Sequence, residues 1–421
     1  MRLLRLAAVL ATVLTVATNL HAQGIAPPDD AEEPAAPLTL TFEDTLALAR
    51  RSSPAAVTSP ALIREAAAAR VEAQIYPRYN PTLEVELGPR IVDEPKSAYF
   101  SVALSQNLDL GGGVSARLKR VDAQVDAARA QGGAAVQQTL RGVALAFVRA
   151  LWAERRLALA VESQTISKSI LDATKKKLDA GEATALDVNV AKGGYARALA
   201  DRLGAEATRD TAHGELRALL GLPHSMQLAL SGRLEDPLSV DPAALAKAAK
   251  NRPDLRVLAA ELEAAQADLD LAAALAAPQL SLGARYEFED NRVHTVLGTL
   301  SVTLPIFDHA QGLSAQAEAK AGRTKVELAA TEGRVDVEVA TATANANKRL
   351  EAANAFEAEL GTSFEDNVRL AMKGYAAGET SLSEVLLVRR ELVDTETSRV
   401  DRLLELRAAE IELLYTAGML P

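Results

Sequence analysis

The chain has 421 residues, no cysteine, 4% aromatic residues and a formal net charge of -10. The absent cysteines exclude a disulfide framework, a thiolate metal site, a cysteine nucleophile and a cysteine-linked lipid anchor. The acidic balance excludes a general nucleic-acid binder, because neutralising phosphates needs a basic surface. A hydrophobic fraction of 48%, mostly alanine, leucine and valine, favours long helices over two or three mixed globular domains.

Residues 1–22 read as a secretory signal peptide. Arg2 and Arg5 form the basic start, Leu6 to Ala17 an apolar run of 12 residues, and Ala22 a small residue for cleavage. The run falls short of the ~20 residues that a spanning helix needs. Residues 23–38 read as a flexible leader, with Pro27, Pro28, Pro34 and Pro37 among Asp29, Asp30, Glu32 and Glu33. Beyond it no stretch of 18 uninterrupted apolar residues occurs, so any membrane hold must be a β-barrel.

The rest of the chain is written twice. Pro81-Thr-Leu83-Glu-Val85 recurs 197 positions later as Pro278-Gln-Leu280-Ser-Leu282, and Gly181-Glu182 recurs as Gly378-Glu379 at the same spacing. Asn107-Leu108 matches Pro305-Ile306, and Leu220-Gly-Leu-Pro223 matches Gly418-Met-Leu-Pro421, both 198 apart. So long a period marks a duplicated unit rather than a solenoid. The expected division is 39–223 for the first repeat, 224–253 for a linker and 254–421 for the second repeat.

Each repeat has one order of elements. A short helix comes first, Pro60 to Tyr76 or Asp254 to Ala277, stopped by Pro77 or Pro278. Two alternating segments follow. In the first copy they carry Leu83, Val85 and Leu87, then Phe100, Val102 and Leu104. In the second they carry Leu280 to Phe288, then Val296 to Leu304. Period-2 alternation predicts strands with one apolar face, joined by turns at Gly88–Pro95 and Glu289–Arg292. A long helix is predicted over Val114–Leu178, with a kink or close helix contact at Gly132-Gly133, and its counterpart over Gln311–Ala376. A glycine turn reverses the chain, and helices Thr184–Leu219 and Ser381–Thr416 return. Short and return helices together nearly match the long helix, so stacking them end to end gives a wall about 100 Å tall. Such a wall has no conventional centre. Four strands leave unpaired edges, which lipid does not tolerate. The chain must oligomerise to close a shared barrel.

These features resemble the outer membrane efflux protein family, the TolC-like channels, over Leu40 to Pro421. The carrying residues are the duplication, the strand exits Gln106-Asn-Leu-Asp-Leu-Gly-Gly112 and Leu304-Pro-Ile-Phe-Asp308, and the two turns. Those turns read Leu178-Asp-Ala-Gly181-Glu-Ala-Thr-Ala-Leu-Asp187-Val188 and Tyr375-Ala-Ala-Gly378-Glu-Thr-Ser-Leu-Ser-Glu384-Val385. Within the family the look is that of outer-membrane components of heavy-metal efflux systems. The resemblance implies a mainly α fold with a β-hairpin pair: a homotrimer with a twelve-stranded outer-membrane barrel on a long periplasmic α-barrel. It also implies a Gram-negative outer-membrane location with a large periplasmic part. The implied partners are outer-membrane lipid, a periplasmic adaptor (membrane fusion protein) and an inner-membrane RND-type pump.

Gly181, Glu182, Gly378 and Glu379 form the tip turns, which in the family dock the adaptor. Asp187 and Glu384, each six residues past a tip glycine, are the residues expected to line the periplasmic constriction. Rings of packed carboxylates favour cations in a pore. An acid in a helix's first turn is also expected for local reasons alone. Lys175, Lys176 and Lys177 suit a helix C-terminus and a partner contact. His294, in an expected hairpin turn near Glu287, Glu289 and Asp290, lacks metal-ligand spacing. Phe147 and Trp152 read as packing residues. No nucleotide loop, catalytic set or cofactor motif is present in the sequence, so the expected protein is no enzyme. Three readings follow: an exit duct for efflux of cations or drugs, a type I secretion duct, and a periplasmic coiled-coil scaffold without a pore.

Overall fold

The computed structural model describes residues 38–90, 97–109, 111–238, 242–289, 293–360 and 364–420. The expected signal peptide and all but the last residue of the expected leader lie outside them. Strand β1 (Leu38–Leu40) pairs in parallel with β4 (Leu228–Leu230). Helix α1 (Phe42–Ser52) opens on a capping box in which Thr41 Oγ1 accepts from Asp44 N at 3.1 Å. Helix α2 (Pro54–Ala73) starts six residues before the expected Pro60. Ser53 caps it and Pro54 takes the first helical position, where a missing N–H is harmless. Pro60 lies inside the helix, not at its start.

Strands β2 (Thr82–Arg90) and β3 (Ser97–Leu108) lead to α3 (Gly113–Asp179), then α4 (Ala185–Leu220). Helix α3 is 67 residues long, or about 100 Å. It runs unbroken through Gly132-Gly133. The close contact is what the sequence was marking: a Cβ on Gly132 would lie 2.0 Å from Ser59 Oγ of α2. The expected linker carries β4 and a short helix, α5 (Pro242–Ala249). Then come α6 (Pro253–Leu275), β5 (Gln279–Glu289), β6 (Val293–Thr303), α7 (Gln311–Leu360), α8 (Phe364–Ala377) and α9 (Leu382–Thr416). The long helix expected over Gln311–Ala376 is covered by α7 and α8, on either side of residues 361–363, which lie outside the described residues.

Helix α3 is the spine of the wall. It packs on α2 and α6 toward the strands, and on α4 and α9 toward the turns. Helix α7 flanks both α6 and α9. The end-to-end stacking is present in both repeats. The last turn of α4 meets the start of α2, with Ser52 Oγ donating to Leu220 O at 2.7 Å. The end of α9 meets the start of α6, where Gly418 faces Arg252. Both helices end on a left-handed glycine, Gly221 (φ 69°) and Gly418 (φ 68°). These two glycines are 197 apart, so the copies align there on the main period, not on the 198 read from Leu220 and Gly418.

The wall does have a centre. Around mid-height, Leu140, Val143, Phe147 and Leu151 of α3 pack with Leu46 of α1, Leu216 and Leu220 of α4, and Ile411 and Leu414 of α9. Each such side chain contributes about 1.5–3 kcal/mol on burial. Phe147 meets Phe42 edge to face at 5.6 Å. Trp152 donates Nε1–H to Asp401 at 2.7 Å, tying α3 to α9. Buried Arg407 holds the 231–238 loop through Leu234 O at 2.9 Å. Its neighbour Glu410 has a carboxyl pushed up by burial, against the pull of Arg407.

The four long strands form one antiparallel sheet in the order β2-β3-β5-β6. In register, Val85, Val102, Tyr286 and Val296 lie side by side; the next row is Leu87, Phe100, Phe288 and His294. Strand β2 extends through Gly88 and Pro89 to Arg90, and His294 belongs to β6, so both expected turns are shorter at their described ends. Residues 91–95 and 290–292 of those turns lie outside the described residues.

Candidate functional site

The sheet has two unlike faces. One carries Leu83, Val85, Leu87, Phe100, Val102, Leu104, Leu282, Tyr286, Val296, Leu300 and Val302, as the alternation predicted. Leu87 and Val296 are each 76% exposed. Apolar surface so large and continuous is a partner or lipid surface, since water does not tolerate it. The opposite face carries Glu84, Glu86, Ser101, Arg285, Glu287 and Thr295. Arg285 reaches over Ala103 to Glu84 and Glu86 on the edge strand, each at 3.8 Å, and lies 3.6 Å from Glu287. Ser101 donates to Glu86 at 2.9 Å. Apolar-out and polar-in with this period is the pattern of a barrel wall. Among the described residues, strands β2 and β6 each have one unpaired edge. No helix among the described residues is long and apolar enough to cross a membrane.

At the far end of the wall are the tips. Gly181 (φ 78°) and Gly378 (φ 79°) take the left-handed backbone that reverses the chain. Glu182 N donates to Lys177 O at 2.7 Å, and Glu379 N to Gly374 O at 2.8 Å. The returning helices open on matched capping boxes. Asp187 N donates to Thr184 Oγ1 at 3.2 Å, while Asp187 Oδ2 accepts from Thr184 N at 2.9 Å. Glu384 N donates to Ser381 Oγ at 3.3 Å, and Glu384 Oε2 accepts from Ser381 N at 2.8 Å. The cap residue's backbone N–H first, and its hydroxyl second, hold each carboxyl below its ordinary value. Each acid is therefore bonded to its own helix end, which meets the local expectation and keeps both ionised. The signal was present in the sequence as Thr184-x-x-Asp187 and Ser381-x-x-Glu384.

One contact at the tips has no sequence signal. Tyr375 of α8 is buried against α3, its hydroxyl 3.0 Å from Thr174 Oγ1. Ile170, Leu382 and Val385 pack around it. Lys177 Nζ lies 4.9 Å from the Tyr375 ring centre and 3.8 Å from Glu182. Of the lysine trio, Lys177 is thus turned into the molecule, and Lys175 lies 3.9 Å from Asp172. His294 Nδ1 pairs with Tyr286 Oη at 2.7 Å on the apolar face. No group of metal-holding side chains occurs among the described residues.

The sequence profile described as "Outer membrane efflux protein" matches residues 57–222 and 244–418, one segment in each repeat. The chain is 28% identical over 365 residues to the cobalt-zinc-cadmium resistance protein CzcC of Cupriavidus metallidurans, covering 86% of this chain and 85% of that one. Among solved structures it is similar to the outer-membrane channel OprN, with TM-score 0.70 and 20% identity over 90% of this chain and 91% of that one. It is also similar to CusC, with TM-score 0.69 and 21% identity over 90% and 92%. The fold is that of the TolC-like outer-membrane channels. With both repeats matched, the chain belongs to the outer membrane efflux protein family.

Proposed function

We propose that the chain is the passive exit duct of a tripartite efflux system in a Gram-negative outer membrane. The observation that carries this reading is the two-faced sheet with open edges at β2 and β6. Four strands cannot hold themselves in lipid, and the smallest membrane barrels have about eight. A homotrimer joins β6 of one chain to β2 of the next and closes twelve strands. The charged face then lines the lumen, and the helical walls of three chains continue the duct into the periplasm. The tips at Gly181-Glu182 and Gly378-Glu379 meet the periplasmic adaptor, and an RND-type inner-membrane pump supplies the energy. Asp187 and Glu384, three of each around the axis, form an ionised constriction that favours cations.

The cargo is a divalent metal cation. The similarity to a cobalt-zinc-cadmium resistance protein supports it, as do the carboxylates of the lumen face and the tips. A cell lacking this chain should lose tolerance to zinc, cobalt or cadmium and regain it when the chain is restored. Unchanged metal tolerance together with loss of a secreted protein would instead establish the type I secretion duct.

A further inference from the structure

Just below the sheet, α2, α3, α6 and α7 of one chain line an open-sided cavity of about 440 Å³. That volume is within the range of small-molecule sites. Four cations line it: Arg78, Arg117, Arg120 and Lys320. Its lining carboxylates are Glu72 and Asp268. Asp268 serves two cations, Arg120 Nε at 2.7 Å and Lys320 Nζ at 3.5 Å. Arg117 pairs with Asp109 at 3.1 Å through Nη1. Its side chain is only 8% exposed, and its Nε has no hydrogen-bond partner. Arg78 lies 5.8 Å from the Tyr79 ring centre and has no carboxylate partner among the described residues. A narrow cleft shared by Arg78 and Arg117 continues the cavity to Asn107 and Gln279 at the base of the sheet.

The charges do not close. Four cations meet Glu72, Asp268 and Asp109, which leaves one positive charge in a chain whose overall balance is strongly acidic. A buried guanidinium N–H without a protein acceptor adds a donor that water or a ligand entering the cavity must satisfy. Planar guanidinium groups match phosphate oxygens in charge and geometry. We infer that this cavity is a binding site for a phosphate group at the junction of sheet and helices. Two sources carry that chemistry: the headgroup of a membrane phospholipid, or a free phosphate in solution.

The test uses the full-length protein in detergent, freed of phospholipid. Inorganic phosphate is titrated calorimetrically in one arm. In the other, phosphatidylglycerol is added and retained adducts are counted by native mass spectrometry. Binding of either probe once per chain, about tenfold weaker or more in the Arg78→Ala/Lys320→Ala variant, supports the site. Phosphatidylglycerol alone binding identifies the membrane source; phosphate binding identifies the soluble one. Both substituted residues are exposed, and Arg117–Asp109 is left intact, so the variant should elute and melt like the parent. If it does not, Arg78→Gln alone carries the comparison. Failure of both probes to bind, or binding unchanged in the variant, overturns the inference.

Discussion

Four glycines end helices in the same left-handed conformation, yet alanine should not be equally tolerated at each. At Gly181 a Cβ would meet nothing within 4 Å, and the same holds at Gly378. Alanine there carries only the left-handed backbone penalty, about 1–2 kcal/mol. At Gly418 the nearest atoms are 3.5 Å away, an ordinary contact, so the loss should be similar. At Gly221 the Cβ would lie 2.5 Å from the Ser52 backbone oxygen. That oxygen is main chain at the α1–α2 junction, and Ser52 Oγ is bonded to Leu220 O in the same stack. Neither side can yield without separating α4 from α2. Overpacking of this kind adds about 1–3 kcal/mol to the backbone penalty. Melting temperatures of the four alanine variants, in one detergent and at one protein concentration, should place Gly221→Ala well below the other three. Hydrogen exchange should locate its extra loss in the last turn of α4. Equal losses at Gly181 and Gly221 would refute the end-to-end stack as the reason for that glycine.

Asp187 and Glu384 have lowered pKa values, so their capping contribution is present above the ordinary 3.8 and 4.5 and is lost as pH falls through the depressed values. Amide exchange in the first turns of α4 and α9 should rise over that acid range, and should lose that pH dependence in Asp187→Asn/Glu384→Gln; exchange that rises identically in both would contradict it. Replacing both acids with alanine should also reduce cation preference in bilayer recordings if they line the constriction, and unchanged selectivity removes that role. Tyr375→Phe deletes one buried hydrogen bond while Thr174 keeps its bond to Ile170 O at 2.8 Å, so it should destabilise the tip by about 0.5–1.5 kcal/mol, measured as faster exchange in α8. Val85→Arg on the apolar face should cost about 2–4 kcal/mol if it faces mid-bilayer and reduce assembled protein in the outer membrane, whereas Thr295→Arg beside Glu287 should not; equal yields would undo the assignment of faces.

Much of this architecture was legible because duplication and period-2 alternation are strong local signals. Leu83 to Leu87 and Phe100 to Leu104 named the apolar face correctly, and the return helices were placed to within a residue or two because Thr184 and Ser381 are cap residues. The helix start at Pro60 failed because proline punctuates both the outside and, less often, the inside of helices. Ser53-Pro54 was the stronger cap pair. The α5 helix carries no readable signal because so short a segment has too few residues for periodicity to decide. Gly132 was flagged, but which outcome it had, kink or contact, depended on Ser59, which lies far away in sequence. The same holds for Tyr375 against Thr174 and for Arg285 against Glu84 and Glu86. Pairings across 201 or about 200 residues are fixed by the wall and the sheet register, which no local pattern encodes.

The central claim is that copies of this chain close a conducting barrel around the charged face of the sheet. Single-channel recording of the detergent-purified full-length protein in a planar bilayer tests it most directly. The account predicts an assembly of three chains that inserts and carries current with a preference for cations. A monomer that stays soluble without detergent and leaves the bilayer silent would contradict it.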